Sequence, residues 1–471
     1  MANALIKKTG IYFVGNVAAR ATSALIVPIY AFFVTSDNLG TYDYFITLAQ
    51  MISPLCFLAI WEAVLRYVLR EDDKSKRDAL ISSVIAFSIV ATAVIVLGAA
   101  LLANLISATP QPVITVAVMS ACVGLAQVWQ YFARSLGHSK LYAASGIISA
   151  FMSFGGVILF VCLLGQQLAG LVGAYILSQL SLVIIIELRL HLIKSFSLKS
   201  VSRYYVLKLL RFSAPLALNL LLLAFVTGFG RILITNVLGP ADNGLYTFAM
   251  KFGTILVSLG SIFAMAVVEE AILRIGKPDA DQFFQTVTTN TLYLLLCISG
   301  VLIPCIEIFY YLIASTEYIS SLAYVPAFVG YGIATVLSTV VACVFQTMQK
   351  TQYVAFTSAV GAIATAVLSV LAVRPLGAQG VALGLFLGAL LMLLTRYFIS
   401  KRLVKYSLAT VKGFVLLVPL VISCFLVFSD YMISNITGQI VWLAAALAIF
   451  SPQALGSIRV LRRIPDSKDV C

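Results

Sequence analysis

The chain has 471 residues, 61% of them hydrophobic and 10% charged, with a formal net charge of +13. Its mean hydropathy is +1.05. This composition excludes a soluble globular domain, which is far richer in charge and poorer in apolar residues. What remains is an all-α polytopic membrane protein.

The first apolar run covers 11–34 and follows Lys7 and Lys8, as a signal peptide's would. It is too long for an h-region and is interrupted by Asn16 and Arg20, so it reads as a retained helix. Further runs lie at 44–65, 79–103, 112–133, 141–164, 169–188 and 212–238. A second series follows at 245–268, 286–313, 321–348, 353–373, 380–399, 410–429 and 438–456. Most are long enough to cross a bilayer core, which takes about 20 residues at the helical rise. The expectation is about 14 transmembrane helices.

Cutting the chain at these runs sorts its cations. Of the 31 Lys and Arg, 27 fall in alternate connections and only Arg374 falls in the opposing set. Because cytoplasmic connections collect Lys and Arg, the set from Lys7 and Lys8 through Arg66–Arg77, Arg189–Arg211 and Arg396–Lys412 to Arg459–Lys468 faces inward, with both termini. The outward loops are short and hold Asp37, Asp43, Asp242, Glu317 and Asp430. The charge of +13 thus reflects topology rather than nucleic-acid binding.

No cofactor or metal is expected. Seven of the eight cysteines lie inside apolar runs without redox or metal spacing, and His138 and His191 fall in basic connections. No Gly-rich nucleotide loop is present.

Sliding the chain by 204 residues places Gly40 on Gly244 and Tyr42 on Tyr246, each just after an outward loop. A shift of 211 aligns Tyr142 with Tyr353, Ala144 with Ala355 and Gly173 with Gly384. The implied unit is six helices, an even number, so its two copies are related by a parallel pseudo-twofold along the membrane normal. The expected organisation is an N-terminal lobe over 1–190, a basic linker over 191–211 and a C-terminal lobe over 212–400. An accessory pair, helices thirteen and fourteen, and a tail follow over 401–471. In the linker Lys194, Lys199, Arg203 and Lys208 alternate with Phe196, Tyr204, Tyr205 and Leu207, the pattern of an interfacial helix.

Three cations fall within helices: Arg20, Arg231 and Lys251. Intramembrane charge faces protein or water, so each is a candidate cavity residue. Arg20 is near mid-membrane, whereas Arg231 and Lys251 lie about 10 Å from their outer helix ends, where snorkelling is an alternative. Asn16, Arg20 and Ser23 share one helix face, as do Thr227 and Arg231. Thr247, Lys251, Thr254 and Ser258 share another, and the 204-residue shift maps them onto Asp43, Thr47, Gln50 and Pro54. The substrate-binding candidates are therefore Arg20, Arg231, Lys251, Asn16, Thr47, Gln50 and Thr254. Glu307 is the candidate for ion coupling, Glu62 and Arg66 are an expected i,i+4 ion pair, and Arg134 reads as either a vestibule residue or a positive-inside anchor. A seam lined by Arg and Lys selects anions, phosphates above all, and neutral polar neighbours suit sugar hydroxyls.

Gly15 and Asn16, Pro28, the run Asn38-Leu39-Gly40-Thr41-Tyr42 and the later Leu65-Arg66-Tyr67 resemble the polysaccharide flippases of the bacterial multidrug/oligosaccharidyl-lipid/polysaccharide exporter superfamily. Arg134-Ser135-Leu136-Gly137 and Phe345-Gln346-Thr347 extend the resemblance along the chain. The resemblance implies two six-helix lobes around a central cavity. It implies alternating-access transfer of an undecaprenyl-pyrophosphate-linked oligosaccharide, an O-antigen or capsule repeat unit, to the periplasmic leaflet of the bacterial inner membrane. A polysaccharide polymerase or co-polymerase would be its partner. An ion-coupled drug exporter, which would want an intramembrane carboxylate, and a peptidoglycan-precursor flippase are the alternatives. A membrane glycan polymerase or transferase would need a large outward loop, and the longest here is about nine residues.

Overall fold

A computed structural model of the chain describes residues 25–105, 110–274, 280–348, 350–404 and 406. All the regular structure among them is helical. Helix α1 is described over 25–33. It is followed by α2 (Ser36–Cys56), α3 (Ile60–Tyr67), α4 (Lys74–Leu105), α5 (Pro110–Ser135), α6 (Ser139–Val157) and α7 (Gln167–Leu190). Then come α8 (Arg203–Val237), α9 (Pro240–Arg274), α10 (Ala280–Leu312), α11 (Val325–Thr347) and α12 (Thr351–Ser400). Among the described residues eight helices are long and apolar enough to cross a bilayer, or nine with α2 and α3 counted as one bent span. The expected helices thirteen and fourteen lie outside the described residues.

Two elements depart from the expected runs. The run 44–65 is broken: Leu58 and Ala59 both take φ 46°, and α3 leaves α2 at 55°. Non-glycine residues pay for left-handed backbone, and here the break is fixed by packing, with Phe57, Ala59 and Ile60 all buried in the core. Conversely α12 runs for 50 residues but folds back at Gly377 (φ 60°, ψ −148°), two residues after Pro375. Its arms are antiparallel and close. A Cβ on Gly384 would lie 2.9 Å from the Ser369 nitrogen, and one on Gly388 2.8 Å from that of Thr365. The runs 353–373 and 380–399 are these two arms.

The chain divides into two compact units, Met1–Thr247 and Phe248–Cys471, the cut falling inside α9. In the first, α3, α4, α5, α7 and α8 enclose a core around Phe57, Ile60, Val64, Trp129, Phe132, Ile186 and Leu209. At the start of α2, Thr35 accepts from the Asn38 amide at 3.4 Å as an N-cap, and the Asn38 side chain donates to Gln167 at 2.7 Å, tying α2 to the start of α7. In the second unit Phe248, Phe252, Phe309, Tyr310 and Tyr318 form an aromatic cluster, with Phe248 and Tyr318 ring centres 4.4 Å apart. The Tyr310 and Ser321 hydroxyls hydrogen-bond at 2.6 Å.

Candidate functional site

The charges of the first unit converge where α2, α8 and the first turns of α9 meet. Asp43 sits in the second turn of α2, 7% exposed, and not in a loop. Its Oδ2 lies 3.3 Å from Arg231 Nε of α8 and accepts from Thr247 Oγ1 of α9 at 2.8 Å. Arg231 also donates from Nη1 to Thr47 Oγ1 at 3.5 Å, and Thr47 in turn donates to the Asp43 carbonyl at 2.8 Å. Arg231 and Asp43 side chains are 20% and 10% exposed. The expected cationic seam thus carries an acid at this point: Arg231 is charge-neutralised by Asp43.

The helices approach closely enough for this because the crossing is made of glycine. A Cβ on Gly40 would overlap the Pro240 carbonyl, and one on Gly244 would overlap the Ser36 carbonyl. Asn243 closes the contact by donating to the Gly40 carbonyl at 2.9 Å. Ser36 and Pro240, Gly40 and Gly244, and Asp43 and Thr247 are all 204 residues apart. The two segments with similar sequence therefore pack against each other.

The other sequence candidates fall elsewhere. Asn16 and Arg20 lie outside the described residues. Gln50 of α2 and Thr254 of α9 are exposed, Thr254 donating to the Lys251 carbonyl at 2.7 Å, and Lys251 is half-buried. In the second unit Glu307 of α10 is 6% exposed and borders a small apolar pocket with Ile303, Ile306, Leu322, Val325, Pro326 and Val329. The expected Glu62–Arg66 pair is not formed. Glu62 instead accepts from the Tyr131 hydroxyl at 2.6 Å, and Arg66 stacks 4.4 Å from the Phe212 ring centre. Arg134 stacks on Tyr131 and Tyr142, at 5.2 and 5.5 Å.

Sequence reasoning missed one buried cation. Arg396, placed with the inward connections, lies within α12 and is 6% exposed. Its guanidinium donates to Thr357 Oγ1, to the carbonyl and hydroxyl of Ser338, each at 3.0 Å, and to Ser358 Oγ at 2.7 Å. It therefore pins α11 to both arms of α12. Among the described residues no cluster of His, Cys, Asp and Glu is arranged to hold a metal ion.

Residues 5–268 match the model of a family described as "Polysaccharide biosynthesis protein". No curated protein matches the chain in sequence. Among solved structures, a lipid II flippase MurJ in an inward closed conformation is similar at a TM-score of 0.65 and 14% identity, covering 96% of this chain and 100% of its own. An inward-facing multidrug resistance MATE family transporter of the MOP superfamily gives 0.60 at 14% identity, covering 84% of this chain and 94% of its own. A further MOP superfamily transporter, from Pyrococcus furiosus, whose structure is described by a reversed polarity of its binding pocket, gives 0.53 at 15% identity over 84% and 95%. The fold is that of these membrane proteins.

Proposed function

Since the chain belongs to the polysaccharide biosynthesis protein family, we propose that it carries a polyprenyl-pyrophosphate-linked oligosaccharide repeat unit from the cytoplasmic to the periplasmic leaflet of a bacterial inner membrane, for O-antigen or capsule assembly. The observation that carries this reading is the match of a polysaccharide family model on a chain with the fold of a lipid II flippase. In it the chain works by alternating access between lobes 1–190 and 212–400, with both termini cytoplasmic. It is a transporter and not an enzyme.

Arg231 is the residue through which the α2–α8–α9 crossing would respond to substrate. A pyrophosphate offers guanidinium the same bidentate oxygens as a carboxylate. An anion that takes Arg231 from Asp43 removes the ion pair between α8 and α2 and leaves Asp43 with its Thr247 hydrogen bond. Arg20, Asn16, Thr47, Gln50, Lys251 and Thr254 would line the path, and Glu307 would couple ion movement.

The test is transfer of a fluorescent undecaprenyl-pyrophosphate oligosaccharide in proteoliposomes. Wild-type protein is expected to move it, and Arg20→Ala and Arg231→Ala to abolish transfer while inserting normally. A wild type that moves no lipid-linked glycan overturns the reading. The buried carboxylate of Asp43 favours a second one, an ion-coupled exporter of organic cations. Export of such a cation against a proton gradient, without glycan transfer, would decide for it.

A further inference from the structure

A second group of cations lies in the first unit, away from Arg231. Arg66 ends α3 and is exposed, with its guanidinium carbon 4.4 Å from the Phe212 ring centre and 5.7 Å from that of Tyr67. Lys208, in the second turn of α8, brings its ammonium 5.1 Å from the same Tyr67 ring and 5.9 Å from Tyr204. Tyr67 and Phe212 meet edge-to-face at 5.8 Å. Two like charges are thus gathered around one aromatic pair, an arrangement that repels itself and that exposed cation–π contacts offset only weakly.

The acids on the neighbouring elements do not neutralise them. Glu62, one turn from Arg66, is held by Tyr131. Glu187, at the end of α7, accepts from the Trp129 indole at 3.0 Å and from the Ile193 amide at 2.8 Å. Asp73, beyond α3, pairs with Lys76 at 3.7 Å and accepts from the Ser75 amide at 2.9 Å. Neither Arg66 nor Lys208 has an acidic partner among the described residues.

Position points to what does. Helix α8 has 35 residues, about 52 Å at the helical rise against a hydrocarbon core of about 30 Å, and its apolar run begins only at 212, so its first turns stand at headgroup depth. Leu69, three residues after Arg66, and Tyr204 and Leu207, beside Lys208 on α8, are exposed, as apolar side chains at a bilayer interface are. Arg189, Lys194, Lys199, Arg203 and Arg211 add to the charge on the same connection.

We propose that Arg66 and Lys208, set on Tyr67 and Phe212, form a binding site for the headgroup phosphate of an anionic glycerophospholipid of the surrounding bilayer. The phosphate separates the two cations electrostatically, guanidinium donating to its two non-bridging oxygens and ammonium to one of the same two. The lipid then joins the α3 end to the start of α8. The site does not depend on which molecule the protein transports.

The experiment uses the full-length protein in nanodiscs of phosphatidylcholine with and without phosphatidylglycerol, reading retained lipid by native mass spectrometry and melting temperature in parallel. In the variant R66Q/K208Q, phosphatidylglycerol binding should weaken about thirty-fold, the loss of two surface cations. Melting in pure phosphatidylcholine should not fall, and either single variant serves if the double does not fold. The control K350Q/R402Q removes the same charge from exposed positions of the second unit and should leave binding within a few-fold of wild type. Equal weakening in the control, or none in R66Q/K208Q, overturns the site in favour of diffuse attraction. Inorganic pyrophosphate binding that depends on Arg66 and Lys208 while phosphatidylglycerol binding does not would overturn it in favour of substrate docking.

Discussion

Replacing Asp43 with Asn keeps the shape of the side chain and removes the charge that answers Arg231. At 3.3 Å the pair attracts by about 5 kcal/mol at an effective dielectric near 20. Desolvating two ions offsets most of that, so the intact pair contributes little net stability. Removing one partner is different, because the other charge loses the ion pair that offsets its desolvation, which costs about 3–5 kcal/mol in closed interiors. With 20% and 10% of the side chains still exposed, the loss falls just below that range, about 2–3 kcal/mol for Asp43→Asn. The Asn carbonyl still accepts from Thr247, so that hydrogen bond does not enter the loss. Arg231→Gln should cost a similar amount. The double variant D43N/R231Q strands no charge, so its loss should be well below that of either single change, about 1 kcal/mol, which leaves a coupling of about 3–5 kcal/mol against the sum of the singles. Unfolding free energies from SDS titration in mixed micelles, followed by circular dichroism, measure all three. A double variant destabilised by the sum of the singles would show that the pair does not act as a unit and refute the reasoning.

Gly40→Ala and Gly244→Ala should each destabilise the protein by about 1–3 kcal/mol and by nearly equal amounts, because each new methyl meets the backbone carbonyl of the other segment; the same SDS titration checks this. Gly384→Val should cost at least as much by forcing the arms of α12 apart at Ser369, read as a loss of melting temperature. Arg396→Lys should lose about 2 kcal/mol despite keeping the charge, since one ammonium cannot reach Thr357, Ser338 and Ser358 together. An unchanged unfolding midpoint for that variant would show that the hydrogen bonds hold nothing.

Apolar length made the spans legible, and Arg374-Pro375-Leu376-Gly377 marked the fold-back of α12 because Pro and Gly punctuate wherever they stand. The break at Leu58 and Ala59 carried no such mark. Two apolar residues in left-handed backbone look like any others, and only the core around Phe57 dictates the bend. Asp43 was placed with the outer loops because it precedes the apolar run, yet α2 begins seven residues earlier, at Ser36. The 204-residue shift did bring Asp43 onto Thr247, but a shift relates positions in two segments and says nothing of their meeting in space. Arg396 was hidden for another reason. Its partners are serines and threonines dispersed over 338–358, and neutral hydroxyls give no charge pattern to read.

The crossing at Gly40 and Gly244 is isologous. Each segment offers the same surface to the other, Gly40 to Pro240 and Gly244 to Ser36, with Asp43 and Thr247 beside them. Self-complementary contacts of this kind are how two identical subunits join across a twofold axis. A half-length chain carrying Ser36, Gly40 and its neighbours could have made the same contact with a second copy of itself. Fusion would then have freed the two sides to diverge. At 43 and 247 the two sides differ: two identical acids would face each other there, whereas this chain has Asp on one side, Thr on the other, and Arg231 to balance the charge.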